Sequence, residues 1–407
     1  MASQLPPVRP MRLTFGGRVP DRDIVGRDET ADSLWGDLVG NSFQISEMRR
    51  FGKSTILRLM ESRAPEGWLC VRTTMQDVLS TSDLLELTLN ELLGQTKVKT
   101  KIKRHVERGL LSFVKQVDGI EVNAKVAKVS LSPQIKRSAC QTFRSLLESL
   151  AADLRKDDAY LAIMWDEFPD SIAAIQRNEG AAAARDVLAL LKASRQSDDG
   201  QRIRWVFTGS IGFHHVQRAL GGHGQEMGDV TVRDIGPLTP EWTSWLAAAL
   251  LMDIGLEDEP AARALAGVAE GVPFVVEMMV KYLRDNLKSA SRALPQDGAA
   301  AQKLLLAAAG DPAIGANWTP LLTKVEDYYQ DKAPLAEAIL DAVARSPQTL
   351  AEVTAGLDTA APDQRTVRQV MDLLLSDRYL AFDQASALYS WRHRPLQLIW
   401  RARRRDI

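Results

Sequence analysis

The chain has 407 residues, of which 45% are hydrophobic and 25% charged, with a formal net charge of −1. Such numbers predict a globular protein of two or three domains and give no general preference for nucleic acid. No apolar run approaches the roughly 18 residues of a membrane span, and the first residues, MASQLPPVRPMRL, lack the apolar core of a secretory signal. Cys70 and Cys140 are the two cysteines, far apart, which disfavours disulfide or zinc frameworks and leads us to expect a cytoplasmic protein.

Residues 1–21 are rich in Pro and Arg and predict an extended arm. From 22 to 236, short apolar runs alternate with helical patterns, which predicts an α/β domain with a parallel sheet covered on both faces. The predicted strands are 42-SFQI-45, 68-WLCVRT-73, 160-YLAIMW-165, 203-IRWVF-207 and 230-VTVRDI-235. The predicted helices include 53–62, 138–155, 180–195 and 211–220.

A basic insertion, residues 97–137, interrupts this alternation with eleven Lys or Arg side chains. Within it, 120-IEVNAKVAKVSL-131 alternates apolar and polar residues, which predicts a solvent-facing hairpin or edge strand. Basic runs are commonly solvated surface, and the alternative is contact with nucleic acid or an acidic partner. Both interpretations stay open, and the candidate nucleic-acid contacts here are Lys99, Lys101, Lys103 and Arg104.

Residues 237–330 predict an all-helical domain, and residues 331–407 a further module with an arginine-rich tail. The predicted helices of the first are 239–252, 258–269, 273–288, 297–309 and 318–330. The second has helices at 334–345, 349–356 and 363–376, followed by two alternating runs in 378–392, which is the outline of a winged helix-turn-helix. Arg365 and Arg368 lie on the polar side of its third helix, where a DNA-reading or protein-docking surface would be.

The stretch 46-SEMRRFGKST-55 follows a predicted strand and precedes an amphipathic helix. Gly52, Lys53 and Ser54 match the end of the phosphate-loop pattern G-x-x-x-x-G-K-[ST]. In such a loop the lysine reaches the β- and γ-phosphates and the hydroxyl holds Mg²⁺, while helix N-terminal N–H groups face the phosphates. Glu47, however, stands where the pattern has its first glycine.

Two further predicted strands end in polar residues. In 161-LAIMWDEFPD-170, Asp166 would hold Mg²⁺ through water and Glu167 would orient the attacking water as general base, unless the pair is simply an acidic turn. After 203-IRWVF-207, the hydroxyls of Thr208 and Ser210 could sense the γ-phosphate. Since ligands of open α/β sheets bind at the carboxyl ends of the strands, these residues predict one catalytic site with Lys53.

The segments 24-IVGRDE-29, 46-SEMRRFGKST-55, 163-IMWDEFPD-170, 207-FTGSIG-212, 236-GPLTPEW-242 and 271-GVPF-274 together resemble the archaeal-type STAND/AAA+ P-loop ATPases, relatives of the initiator ATPases. The resemblance covers roughly residues 22–400. It implies a P-loop core, a helical lid at 237–330 and a winged helix, with ATP and Mg²⁺ as cofactors. The residues it implies for nucleotide binding are Gly26, Arg27, Arg49, Arg50, Gly52, Lys53, Ser54, Thr55, Thr208, Ser210 and Pro273.

Glu47 and Met48 depart from the family's loop, which usually reads G-P-R-R-x-G-K-[ST]. A carboxylate about 4 Å from a phosphate is repelled by roughly 4 kcal/mol at an effective dielectric of about 20, or about a thousandfold in affinity. Arg49 and Arg50 could compensate, or the Glu47 side chain could point away from the phosphates. We expect nucleotide binding to be retained, with slow hydrolysis.

Two classes of function follow. The first is a slow ATPase switch acting on double-stranded DNA, in settings such as mobile-element maintenance or antiviral defence. The second is a signalling ATPase whose ATP or ADP state controls self-assembly or the docking of an effector protein, without DNA. Salt-dependent DNA binding distinguishes them. No membrane partner is expected.

Overall fold

The structure is a computed structural model that describes residues 5–94, 101–123, 128–197, 199–209, 213–221, 225–286, 294–317, 325–357 and 363–404, with backbone only at 101–108, 123, 199–200 and 225. The chain forms two compact units, which are described separately. Unit 1 contains Met1–Arg27, Glu47–Gly52 and Ile235–Ile407. Unit 2 contains Asp28–Ser46 and Lys53–Asp234. No helix among the described residues is long and apolar enough to cross a bilayer.

Unit 2 is built on a five-stranded parallel sheet and a separate hairpin. In chain order its strands are β1 (Phe43–Ser46), β2 (Trp68–Thr74), β3 (Ile120–Asn123), β4 (Lys128–Leu131), β5 (Tyr160–Asp166), β6 (Ile203–Gly209) and β7 (Thr231–Arg233). The spatial order of the large sheet is β2-β5-β6-β1-β7, and every neighbouring pair in it is parallel. All five predicted strands are therefore present, with β7 shorter than the predicted run.

Helices surround this sheet and the hairpin and bury apolar residues among them. In chain order they are α1 (Asp28–Gly40), α2 (Lys53–Ser62), α3 (Thr81–Gly94), α4 (Lys101–Gln116), α5 (Pro133–Arg137), α6 (Ala139–Lys156), α7 (Phe168–Glu179), α8 (Ala181–Gln196) and α9 (Phe213–Ala219). In α6, for example, Phe143, Leu146, Leu147 and Leu150 recur at helical spacing and are all buried. The central strands add a cluster of aromatic rings, with Trp165 edge-on to Trp205 at 4.8 Å.

The hairpin β3–β4 is antiparallel, as the alternating pattern predicts. Its surroundings differ from the prediction of a solvent-facing hairpin, because Ile120, Val129 and Leu131 are buried in the core of unit 2. The Val129 N–H also donates to Asn90 Oδ1 of α3 at 2.6 Å. One face of the basic insertion is thus structural, and the insertion is part of the domain core.

After residue 235, the described residues of unit 1 form mainly helices, together with one hairpin. Its elements are α10 (Pro240–Asp253), α11 (Glu259–Ala269), α12 (Pro273–Asn286), α13 (Gly298–Gly310), α14 (Pro312–Gly315), α15 (Ala333–Arg345), α16 (Leu350–Gly356), α17 (Gln364–Ser376), β8 (Leu380–Asp383), β9 (Leu388–Trp391) and α18 (Arg394–Arg403). The side chains of Thr239, Asp258 and Asp297 accept N–H groups at the starts of α10, α11 and α13, which fixes where these helices begin. The predicted helix 318–330 falls largely outside the described residues.

Residues 333–404 of unit 1, called the C-terminal module below, contain three helices followed by the antiparallel hairpin β8–β9 and α18. Gln348 forms an isolated bridge with Tyr389, which adds a third short extended segment beside the hairpin. This is the order of elements that the sequence predicts. The assignment as a winged helix-turn-helix stays a prediction.

The N-terminal arm is extended and lies along α10. The Trp245 Nε1–H donates to the Pro6 carbonyl at 2.8 Å, and the Met11 N–H donates to the Ala249 carbonyl at 3.1 Å. Met11 and Leu13 are buried. The arm is therefore a packed part of unit 1.

Candidate nucleotide site

Polar side chains meet at the carboxyl edge of the parallel sheet in unit 2. Asp166 ends β5 and is only 3% exposed. The hydroxyl of Thr208, at the end of β6, donates to Asp166 Oδ1. Thr208 is also the register partner of Ile45 in β1, and adjacent strands lie about 4.8 Å apart. The ends of β5, β6 and β1 therefore form one row.

The N-terminus of α2 supplies positive charge directly after β1 along the chain. Lys53 is the first residue of α2 and is 6% exposed, whereas Ser54 is exposed and Thr55 half-buried. The first turn of α2 contains no acidic side chain. Because the first N–H groups of a helix lack intrahelical partners and carry its positive dipole end, this terminus is suited to an anion.

The chemistry of these residues fits a magnesium–nucleotide complex. A buried carboxylate is costly unless it is paired with a cation or fully hydrogen-bonded, and the bond from Thr208 orients Asp166 without neutralising it. Hydroxyl and carboxylate oxygens are the hard ligands that Mg²⁺ prefers. Ser54 and Asp166 would hold the ion, and the helix N-terminus with Lys53 would take the phosphates.

Glu167 lies between β5 and α7 in the left-handed region, with φ 58° and ψ 35°. This conformation costs a non-glycine residue about 1–2 kcal/mol. Strain of this kind persists when the surrounding structure imposes it, and it concentrates at functional sites. Its side chain is half-buried, in contrast to the buried Asp166.

The segment Glu47–Gly52, called the phosphate-loop segment below, belongs by its contacts to unit 1. Arg50 and Gly52 have φ values of 73° and 92°, so the segment changes handedness twice before α2. Alternating left- and right-handed residues turn successive N–H groups toward one side, as in anion-binding nests.

Glu47 contacts the C-terminal module within unit 1. Its carboxylate lies 3.9 Å from Arg392 Nη2 and 3.7 Å from His393 Nε2, and its Oε1 accepts the Met48 N–H at 3.0 Å. Burial alone would raise the pKa of Glu47, but His393, the Met48 N–H and Arg392 outweigh it and hold that pKa below its ordinary value. The carboxylate is therefore charged and compensated inside unit 1.

The structure also places the arginines of the candidate site. Arg50 donates to the Gly16 carbonyl at 3.4 Å and to Asn317 Oδ1 at 3.3 Å, and its guanidinium lies 5.0 Å from the Phe274 ring centre. Burial lowers the pKa of Arg50, and Glu277 opposes this. Arg49 is half-buried. The binding role of both remains a prediction.

Gly26 and Arg27 pack against the start of the helical region in unit 1. Arg27 Nη1 donates to the carbonyls of Ile235 and Gly236 at 2.9 and 3.0 Å. Burial lowers the pKa of Arg27 to about 10, although Glu47 raises it. A Cβ on Gly26 would lie 2.6 Å from Trp242 Cγ. Pro273 begins α12, and Ser210 lies outside the described residues.

The candidate nucleic-acid contacts divide into two groups. Lys99 lies outside the described residues, as do the side chains of Lys101, Lys103 and Arg104, whose backbone is helical. Arg365 and Arg368 are exposed on α17, opposite its buried face.

The arginine-rich tail is used partly inside the protein. Arg404 pairs with Asp341 at 2.7 Å and with Glu337 at 3.0 Å, and Arg403 donates to the Gly315 carbonyl at 2.6 Å. Arg403 and Arg404 are therefore paired within the protein.

The contacts of Arg392, His393 and Glu277 are not evident from the sequence alone. A signal was nevertheless present, because an acidic residue in a phosphate loop requires a counter-charge from elsewhere in the chain.

A five-stranded parallel sheet, with G-K-S after β1, a carboxylate ending β5 and a hydroxyl ending β6, gives unit 2 the α/β fold that the sequence predicts for a P-loop nucleotide-binding domain. No protein-family model matches the sequence, and no curated protein does.

Among solved structures, the chain is similar to the ORC2 protein of Aeropyrum pernix in its ADPNP–ADP complexes, with 13% identity, 94% of this chain and 95% of that chain covered, and a TM-score of 0.49. It is also similar to the Thermotoga maritima RuvB Holliday junction branch migration motor, with 11% identity, 88% and 90% coverage and a TM-score of 0.36. These likenesses are weak, and the assignment of the fold rests on the sheet and its edge.

Proposed function

We propose that this protein binds ATP with Mg²⁺ and hydrolyses it slowly, as a molecular switch. The observation that supports this is the row of strand ends in unit 2, where Asp166, held by Thr208, lies two strands from β1. The lysine-bearing helix α2 is the next element along the chain after β1, beyond the segment Glu47–Gly52. An acidic, a hydroxylic and a cationic group at one sheet edge suit a magnesium triphosphate.

Each residue has a distinct role in this proposal. Lys53 and the first N–H groups of α2 bind and orient the phosphates, and Ser54 and Asp166 hold the metal ion. The ion, when bound, neutralises charge on the phosphate oxygens. Glu167 orients a water molecule and accepts its proton. Thr208 keeps Asp166 in a single orientation through its hydrogen bond.

The direct test is titration calorimetry of the full chain with ATP, with and without Mg²⁺. Lys53→Ala should abolish measurable binding, and Asp166→Asn should remove the dependence on Mg²⁺. Lys136→Ala is the matched control, because Lys136 is exposed on α5 of the same unit. Absence of ATP binding in the unaltered protein, or unchanged affinity in Lys53→Ala, would refute the proposal.

A finer proposal is that the nucleotide state governs contact with double-stranded DNA through the exposed Arg365 and Arg368 on α17. Each phosphate contact contributes about −0.9 to the slope of log affinity against log salt. Replacing both arginines by Ala should therefore weaken DNA binding and flatten that slope, while Arg345→Ala, exposed at the end of α15, should not.

A slope near zero in the unaltered protein would instead favour the second class, a signalling ATPase. In that case the exposed face of α17 would dock an effector protein or a second copy of the chain. Sizing the protein without nucleotide, with ADP and with a slowly hydrolysed ATP analogue measures nucleotide-dependent self-assembly directly.

A further inference from the structure

The phosphate-loop segment interrupts unit 2 but makes its compact contacts with unit 1. Both ends of the segment contact residues that follow β9 in the C-terminal module. At one end, the fully buried Glu47 side chain faces Arg392 and His393. At the other end, the Phe51 ring lies 4.4 Å from the His393 imidazole.

These contacts compensate the charge of a buried carboxylate at a position where the phosphate-loop pattern has glycine. Removing a carboxylate from water is unfavourable unless cations and N–H groups compensate it. Arg392 and His393 come from the C-terminal module, Arg27 acts on the same carboxylate electrostatically, and the Met48 N–H donates to it. Arg392 and His393 lie about 345 residues from Glu47 in sequence.

We propose that Arg392 and His393 are positioning residues of the nucleotide site, which act through Glu47. While they hold the carboxylate, its charge is neutralised and the phosphate-loop segment keeps the conformation that leads into α2. Without them, Glu47 would be an uncompensated negative charge in the segment next to Lys53. The nucleotide would then be bound more weakly. This inference rests on the proposed nucleotide binding.

Arg392 is the more suitable residue to substitute, because its side chain is 23% exposed and tolerates replacement better than the buried side chain of His393. Arg392→Gln should raise the dissociation constant for Mg²⁺–ADP on the order of tenfold or more, since a buried charge pair broken on one side is strongly unfavourable. Arg392→Lys keeps the charge and should retain most of the affinity. Arg394→Gln, an equal change of charge at an exposed position two residues later, is the matched control.

The decisive comparison repeats Arg392→Gln in a Glu47→Gln background. Glutamine is close to isosteric and can still accept the Met48 N–H, but it carries no charge. In this background Arg392→Gln should change the dissociation constant less than about twofold, because there is no carboxylate left to compensate. An equal loss in both backgrounds would overturn the positioning role and identify Arg392 as a direct ligand contact or a general support of the fold.

A second readout needs no nucleotide. Thermal unfolding of the same four proteins should show that Arg392→Gln lowers the midpoint when Glu47 is present and much less when it is glutamine. If Arg392→Gln lowers the unfolding midpoint equally with Glu47 and with glutamine at position 47, the pairing of Glu47 with Arg392 is refuted. A different outcome is that Arg392→Gln lowers the midpoint only when Glu47 is present while none of the four proteins binds ADP or ATP. In that case the pairing is a structural contact, and both the proposed function and the positioning role are refuted.

Discussion

At the scale of single residues, the adjacent acidic residues Asp166 and Glu167 at the edge of the sheet lie in different environments. Asp166 is buried and bonded by Thr208, whereas Glu167 is half-buried and held in the left-handed region. Adjacent carboxylates in different surroundings suit different tasks, one for the metal ion and one for water.

We predict that Glu167→Gln keeps ATP affinity and lowers hydrolysis by about 10²–10⁴-fold, which is the usual contribution of a positioned base. Phosphate release under single-turnover conditions measures this, with calorimetry for affinity. The exposed Glu148→Gln on α6 serves as control. Unchanged turnover in Glu167→Gln would remove it from the proposed mechanism.

Glu277 on α12 gives a pH-dependent prediction. Burial raises its pKa to about 7, against the lowering effects of the Gly16 N–H and Arg50. Because the folded protein binds this proton more tightly than the unfolded chain, the contribution to stability is complete below the unfolded pKa and is lost as pH rises through about 7.

Between about pH 6 and about pH 8, this group should reduce the free energy of unfolding by about 1 kcal/mol. Glu277→Gln should remove that part of the slope, and Glu257→Gln, at an exposed position, should not. Urea unfolding at the two pH values measures the difference. An unchanged slope in Glu277→Gln would contradict the assignment.

At the scale of elements, Gly26 lies two residues before α1 and packs closely against residues at the start of α10. Its φ is +64°, and an added Cβ would lie 2.6 Å from Trp242 Cγ and 3.0 Å from Leu238 Cδ2. The position therefore combines left-handed backbone with close packing.

Gly26→Ala should lower the stability of the protein by about 2–4 kcal/mol, from left-handed strain together with overpacking. Gly255→Ala separates the two causes, because Gly255 has φ +78° but nothing within 4 Å of an added Cβ. Gly255→Ala should cost about 1–2 kcal/mol. Equal losses in the two variants, measured by denaturant unfolding, would show that packing at Gly26 is unimportant.

The elements most readily predicted from sequence are those whose pattern is set locally. The strands 160-YLAIMW-165 and 203-IRWVF-207 are continuous apolar runs, and α17 carries its buried Val367 and Val370 at helical spacing, so each is found close to its predicted place. Local pattern also placed the candidate site residues at strand ends.

Contacts between distant segments cannot be predicted from the local sequence pattern. The alternation of 120–131 shows that one face is apolar but not that it is covered by core side chains. Likewise, nothing in 391-WRHRP-395 shows that Arg392 and His393 meet Glu47, because that pairing depends on how unit 1 folds. Arg403 and Arg404 have the composition of a nucleic-acid contact, and their acceptors appear only in three dimensions.

At the scale of the whole molecule, the chain passes between the two units at residues 27–28, 46–47, 52–53 and 234–235. The phosphate-loop segment is thus tied covalently to unit 2 on both sides while its packing belongs to unit 1. A ligand that binds only the folded chain stabilises it by mass action.

We therefore expect Mg²⁺–ATP at about a hundred times its dissociation constant to add about 2.7 kcal/mol of stability. Thermal unfolding with increasing ligand measures this as a rising midpoint, and the Lys53→Ala variant should show no rise. A midpoint in the unaltered protein that does not respond to nucleotide would argue against binding to the folded state.

The packing of the N-terminal arm on α10 has a consequence for how the protein is made. The Leu13 N–H bonds to Asp253, 240 residues further along the chain. At ribosomal rates of about 5–20 residues per second, that partner is synthesised roughly 12–48 s after the arm. During this interval Met11 and Leu13, which are buried in the finished protein, remain uncovered in the nascent chain. The arm must therefore wait for α10 to be synthesised before it can dock.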